Sequence, residues 1–347
     1  MSNLQIGLAV AGGLVLAGVV AHGAWSSRRN APRQAQPLDD ALAAGGAPQD
    51  GSEDVREIDP VFEPDNFALP LPEKKPSLDT LIDVLAPIAL DAPVSGDAAL
   101  AAMPGTRRVG SKPFAVEGLN VVNRQWETPL AGQRYSAFQA GVQLANRSGA
   151  LNEIEYSEFV VKTQAFSDAI NGTPDFPEMR DEVARARELD QFAGGHDAQL
   201  GFTLRARQSA WSPGYVQQNA ARLGFVPGAI AGRMVLPAAA SGMPPVLGLG
   251  FDTQAALADD PAHSAIFEVS LSLDVAQVDR GEQAFVRMRE AALALSQAMD
   301  GQVTDDNGLP LPSDAMDIIG AELENLYDTL ESRDLAAGSA QARRLFS

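Results

Sequence analysis

The sequence predicts an α+β fold of two modules, each a mostly antiparallel β-sheet with helices packed on one face, behind an N-terminal transmembrane helix and a disordered linker. Three observations predict it. Gln199 to Gln208 alternates Leu200, Phe202 and Leu204 with Thr203, Arg205 and Arg207, the period-2 mark of a half-buried strand. Other segments carry apolar residues at helical spacing behind a capping side chain, as Phe159, Thr163, Phe166 and Ile170 do behind Asn152. From Leu78 onward the order of such elements runs through twice. Helices segregated to one face of an antiparallel sheet make a two-layer α+β sandwich.

In chain order, Leu4 to Trp25 has no charged side chain, and Arg28, Arg29 and Arg33 follow it. About 22 residues at about 1.5 Å each rise about 33 Å, enough to cross the hydrocarbon of a bilayer. Residues 1–27 therefore read as a transmembrane anchor, with Leu4, Leu8, Leu14, Leu16 and Val20 in lipid and Trp25 at the interface. Ala21-His22-Gly23-Ala24 has the small residues of a signal-peptide cleavage site. No basic residue precedes the apolar run, however, so an uncleaved anchor is expected. The three arginines place the C-terminal region in the cytoplasm and the N-terminus in the periplasm. Ala9, Gly13, Ala17 and Ala21 form a small-residue stripe of the kind through which membrane helices self-associate.

Residues 28–76 are rich in Pro, Ala and acid, with nine carboxylates from Asp39 to Asp65 around the single Arg56. Such a segment buries too little apolar surface to offset its ordering entropy, and its charges repel one another. A disordered tether that holds the rest off the membrane is expected. Val61, Phe62, Phe67, Leu69 and Leu71 interrupt its polarity.

The first module, 77–195, opens with a strand at Leu81 to Leu90 and a short helix from Ser95 to Met103 capped by Ser95 or Asp97. Strands at Lys112 to Glu117 and Tyr135 to Ala145 follow. Asn152 caps the next helix, with Glu153 and Glu155 at the positive end of its dipole. Pro177 to Phe192 supplies the last helix, with Met179, Val183, Ala186 and Leu189 on one face.

The second module, 196–334, begins with the strand at Gln199, and a helix from Pro213 to Leu223 ends at Gly224. Strands are expected at Gly232 to Pro237, Pro245 to Phe251 and Ile266 to Val275, the last with Phe267, Val269, Leu271, Leu273 and Val275 on one face. Asp279 with Glu282 reads as a capping box for a long helix buried through Phe285, Met288, Ala292, Leu295 and Met299 and closed by Gly301. Asn307-Gly308 reads as a type I′ hairpin turn. Ser313 is expected to cap a final helix with Met316, Ile319, Leu323, Leu326 and Leu330 inward, and 335–347 to form a tail.

The formal charge of −19 disfavours nucleic acid as a partner, and the absence of cysteine excludes disulfides and thiol catalysis. Histidine occurs only at positions 22, 196 and 263, with no metal-ligand spacing. Asp305-Asp306-Asn307-Gly308 lacks the bidentate glutamate of a calcium loop. No Gly-rich loop opens a helix in the phosphate-cradling arrangement. A protein without catalytic, metal or cofactor sites is expected.

The sheet of the second module is more informative. If helices cover Phe202, Leu204, Met234, Leu249, Phe251, Val269 and Leu271, the other face shows Arg205, Arg207, Arg233, Val235, Gly248, Gly250, Ser270 and Ser272. Small residues leave a shallow trough there, and arginines at its margin attract an acidic peptide. An ordinary solvated sheet face is the competing explanation.

The layout of Leu4 to Arg29, the Pro-rich tether, and Ile266 to Leu330 resembles the ZipA family of bitopic bacterial cell-division proteins. In the last block FEVSLSLDV, a long helix ending in AMDGQVTDD, a hairpin and SDAMDIIGAELENLY follow the order of the ZipA C-terminal domain. The likeness extends over Gln199 to Leu330, and Leu78 to Phe192 resembles a diverged second copy. The resemblance implies a non-enzymatic adaptor of the inner membrane at the division site. It also implies that the open sheet face binds the acidic and apolar C-terminal tail peptide of FtsZ. The groove lining that is apolar in the family is Gly, Ser and Arg here. A structural envelope protein with a periplasmic soluble region is the alternative.

Overall fold

The computed structural model describes residues 32–35 and 78–347. The anchor residues Leu4, Leu8, Leu14, Leu16, Val20 and Trp25, the flanking Arg28 and Arg29, and the linker apart from 32–35 lie outside the described residues. No described helix is long and apolar enough to cross a membrane.

The described chain is α+β, with antiparallel sheets and eight helices. Its first half runs β1 (Asp83–Leu90), α1 (Gly96–Ala102), β2 (Lys112–Asn120), β3 (Arg134–Gln143), α2 (Glu153–Ala169), β4 (Gly172–Pro174) and α3 (Met179–His196). Its second half runs β5 (Gln199–Ala206), α4 (Pro213–Ala221), β6 (Arg233–Leu236), β7 (Leu247–Gly250), β8 (Glu268–Asp274), α5 (Ala284–Met299), β9 (Gly301–Thr304), α6 (Ser313–Glu331) and α7 (Ala340–Leu345), with a one-turn helix at Thr253–Ala256. The sheets read β2-β3-β1-β4 and β6-β7-β8-β5-β9, with two-residue strands added at their margins. In both, the opening strand lies between the strand that precedes the first long helix and the strand that follows it: β3-β1-β4 and β8-β5-β9.

Alternation decides which face each strand buries. Val84, Ala86 and Ile88 stand beside Val142, Ala140 and Phe138 under α2, whose Phe159, Thr163, Phe166 and Ile170 are all buried. Phe138 and Phe166 meet edge to face with centroids 5.4 Å apart, the geometry aromatic quadrupoles favour. In the second half Phe202, Leu204, Met234, Leu249, Val269 and Leu271 are buried beneath α5, which contributes Phe285, Met288, Ala292 and Leu295.

Local chemistry sets most helix starts. Ser95 accepts from the Ala98 N–H. Asn152 accepts from the Ile154 and Glu155 N–H groups while Glu155 receives the Asn152 N–H, a complete capping box. Six details depart from the sequence expectation. Asp279 caps a separate 3-10 turn, Arg280–Glu282, and α5 starts only after Gln283, held in the left-handed region at φ 50°. Glu282 is thereby free to bind the Ala239 N–H and Arg287 instead of closing a box. At the other end Asp300, at φ 55°, takes the left-handed position in place of Gly301, which starts β9. Gly308 alone has a positive φ in its turn, so the hairpin is not type I′: the Asp305 carboxylate accepts from Asn307 and Leu309, and the Asp305 carbonyl accepts from Gly308. Ser313 is the first residue of α6 and caps nothing. Phe267 precedes β8 and is partly exposed, and Val275 belongs to a 3-10 turn.

Residues 335–347 are not a tail. Leu335, Ala337, Ala342, Leu345 and Phe346 are buried in the second core, and α7 reaches the first sheet. Arg344 binds the fully buried Asp83 with both terminal nitrogens, one at 2.9 Å. The Gln143 amide donates to the Arg344 carbonyl at 2.8 Å. On the same side of the interface Arg147 grips Asp197 and Asp274, which raises its pKa further.

Candidate functional site

The side of the second sheet away from α5 carries three cross-strand rows. Val235, Gly248, Ser272 and Gly201 form the first, and Arg233, Gly250, Ser270, Thr203 and Thr304 the second. Glu268, Arg205 and Gln302 form the third. Strand pairing thus brings Arg205, Arg233, Val235, Gly248, Gly250, Ser270 and Ser272 onto one face. Arg207 does not join them: β5 ends at Ala206, and Arg207 lies past it at the end of the sheet, its N–H bonded to the Asp300 carbonyl.

Glycine makes this face shallow. The Arg233 guanidinium lies across Gly250, in space a Cβ would need, and the Ser272 hydroxyl stands 2.6 Å from the Cβ position of Gly248. Ser270 and Ser272 donate to the Gly250 and Gly248 carbonyls, which leaves the trough floor polar but largely self-satisfied. Arg233 makes no ion pair with any described residue. Arg205 is held by Glu268 at 3.2 Å and rests against Gly308. Glu268 sits opposite Arg205 in the β5-β8 register, so the basic strip expected from alternation is half neutralised. That countercharge was the residue missed: Glu268 shares the alternation of Ser270 and Ser272, and register adds that it stands opposite Arg205.

The corresponding side of the first sheet is covered in part: Asp83, Glu117, Gly141 and Gln143 are buried there, while Pro87, Ala89 and Ala115 are exposed. Leu78 lies over Gly141, with a methyl 2.5 Å from where a Cβ would stand, and Leu85 borders the same spot. The Leu78 N–H donates to the buried Glu117, which also receives the Gln139 amide. Asp83 and Gln143, paired across β1 and β3, continue that face beneath α7. Burial pushes the Asp83 carboxyl above the usual range, against the pull of Arg344. Lys112 is fully buried at the start of β2, donating to Asn146 at 2.8 Å and to Ser111 and Gly149, and its pKa is lowered by that burial.

No group of three or more His, Asp or Glu among the described residues is arranged to hold a metal ion. Comparison with known proteins found no matching family model and no matching curated protein.

Proposed function

We propose that this chain is a non-enzymatic, membrane-tethered adaptor of bacterial cell division. It holds the inner membrane through residues 1–27 and binds the C-terminal tail peptide of FtsZ on the open face of the second, ZipA-like module, thereby linking the FtsZ ring to the membrane. What supports this is that the far face of the second sheet leaves Gly201, Arg205, Ser270 and Ser272 exposed, with Arg233, also exposed and in no ion pair with a described residue, at its margin. An acidic and apolar peptide suits that face: its carboxylates meet Arg233, and its apolar side chains lie along the low row of Val235, Gly248 and Gly201. Single weak contacts gain avidity when many adaptors meet one filament.

Titration of the full chain in lipid nanodiscs with the FtsZ tail peptide tests the reading. Saturable binding that weakens about tenfold in Arg233→Glu, and less so at high salt, is the expected result. No saturable signal at high micromolar peptide defeats it. A reporter fused to the C-terminus and active only in the periplasm defeats the topology and favours a structural envelope protein.

A further inference from the structure

Residues 32–35 do not behave as part of a free tether. The Arg33 N–H donates to the Ala210 carbonyl at 2.7 Å, and the Ser212 N–H donates to the Arg33 carbonyl at 2.9 Å, so Arg33 pairs in parallel with Trp211. Trp211 in turn pairs antiparallel with Ile266, which makes Arg33 the third rung of a small ladder on the second module. The Arg33 guanidinium donates to the Met299 carbonyl at 3.2 Å and to the Asp300 carboxylate at 3.0 Å. Beneath it the fully buried Trp211 indole donates to the same Met299 carbonyl at 2.8 Å. Both backbone groups of Arg33 and its side chain are thus committed to one module.

Six residue steps separate Arg33 from Ser27, where the predicted anchor ends. At about 3.3–3.6 Å per residue that chain reaches about 20 Å, of which the headgroup layer takes about 5–8 Å. A free tether through residue 76 would instead place the first folded residue about 40 Å from the anchor on root-mean-square average.

We infer that residues 32–35 are a juxtamembrane clamp that seats the second module on an anionic lipid surface, with the end bearing Arg33, Arg207 and Asp300 toward the headgroups. The inference rests on the membrane anchor of the proposed function. It makes 36–77 a second covalent link between the modules, beside the direct join at 195–196, and not the spacer from the membrane. Arg207 is exposed at this end, and Arg28 and Arg29 precede the clamp in sequence, basic residues of an otherwise acidic chain.

The chain has no cysteine, so Gln208→Cys gives a single labelling point beside Arg207. The full chain carrying a dye there is reconstituted into vesicles containing phosphatidylglycerol and headgroup-linked acceptors, and energy transfer is read after flotation. Strong transfer is expected, unchanged by deletion of residues 41–60. Arg33→Glu, which sets a carboxylate against Asp300, should cut it by about half, as should twenty Gly/Ser residues inserted after Arg29, which add about 25 Å of reach. Transfer that follows the deletion and ignores both Arg33→Glu and the insertion overturns the clamp while leaving the anchor intact. Failure to float with the vesicles overturns the anchor itself, before any transfer is measured.

Discussion

The two sheets share a strand order and differ in what lies on the side away from their long helices. On the first, Leu78 and α7 cover the part of the face that holds Asp83, Glu117 and Gln143, all buried, and leave Pro87, Ala89 and Ala115 exposed. The buried charged side chains among the described residues, Asp83, Lys112, Glu117 and Glu155, all belong to this half. The second half buries only Ser212, Asn219 and Thr304 among its polar residues, and its far face holds glycine, serine and exposed arginine. One topology therefore serves as a joint, fastened by Arg344 and Arg147 to the other half, and as a platform. A buried ion pair contributes little net stability but fixes which surfaces meet, because leaving either charge without the other is costly.

Asp83→Ala puts that contrast to its hardest test. The substitution removes the carboxylate that Arg344 grips and the acceptor of the Asp79 N–H. A loss of about 3–5 kcal/mol in chemical denaturation of the full chain is expected, against changes within about 0.5 kcal/mol for Ser272→Ala on the open face. A cost below about 1 kcal/mol for Asp83→Ala would show that the halves do not depend on this joint.

Lys112→Met sharpens the same contrast through pH. The folded-state pKa of Lys112 is lowered, so between that value and the usual 10.5 the unfolded chain binds the proton that the folded chain has released. Stability therefore rises with pH across that window, as the cost of a buried ammonium is relieved. The methionine variant lacks this slope. It should be less stable by about 1–3 kcal/mol near neutrality, since three acceptors lose their donor, and the gap to the parent should widen as pH rises. Subtracting the two curves removes Tyr135 and Tyr156, whose raised pKa values, the latter to about 12, lower stability above pH 10 in both proteins. Parallel curves would mean that burial does not lower the pKa of Lys112 in the folded chain.

The strands and long helices were legible in the sequence because their signals are local. Leu200, Phe202 and Leu204 alternate within one strand, and Asn152 caps a helix one residue away. What joins distant residues was not legible. Arg344 and Asp83 stand 261 positions apart, Arg33 and Asp300 267, and no periodicity relates them. Arg33, expected in a solvated tether as a topology signal, is instead a strand partner of Trp211. The α5 start was misplaced because Gln283 turns left-handed between the Asp279 cap and the helix, a backbone state that its side chain does not advertise. Seven residues of the open face were placed by alternation alone. Arg207 failed because alternation carries information only while the strand continues, and β5 stops at Ala206. Glu268 shares the alternation of Ser270 and Ser272 and was legible on this face; only its pairing with Arg205 needs register, a tertiary fact.

Glu268→Gln produces the smallest effect and separates the platform most cleanly from the joint. Glu268 and Arg205 are both well exposed, so their pair contributes only about 0.2–1 kcal/mol, and stability should hardly move. Binding should respond in the opposite sense to every other change on this face. With its countercharge gone, Arg205 presents full charge beside Gly308, and affinity for an acidic tail peptide should rise about two- to threefold at low salt, the worth of about 0.5 kcal/mol. Raising the ionic strength to 1 M, where the screening length is about 3 Å, should erase the gain. If Glu268→Gln leaves affinity unchanged while Arg233→Glu lowers it, the peptide's carboxylates meet the β6 margin, and Arg205 serves only to hold the Asp305–Leu309 hairpin against the sheet. An affinity that falls in Glu268→Gln would instead make Glu268 itself a peptide contact, and the partner would then bring a basic group to this row.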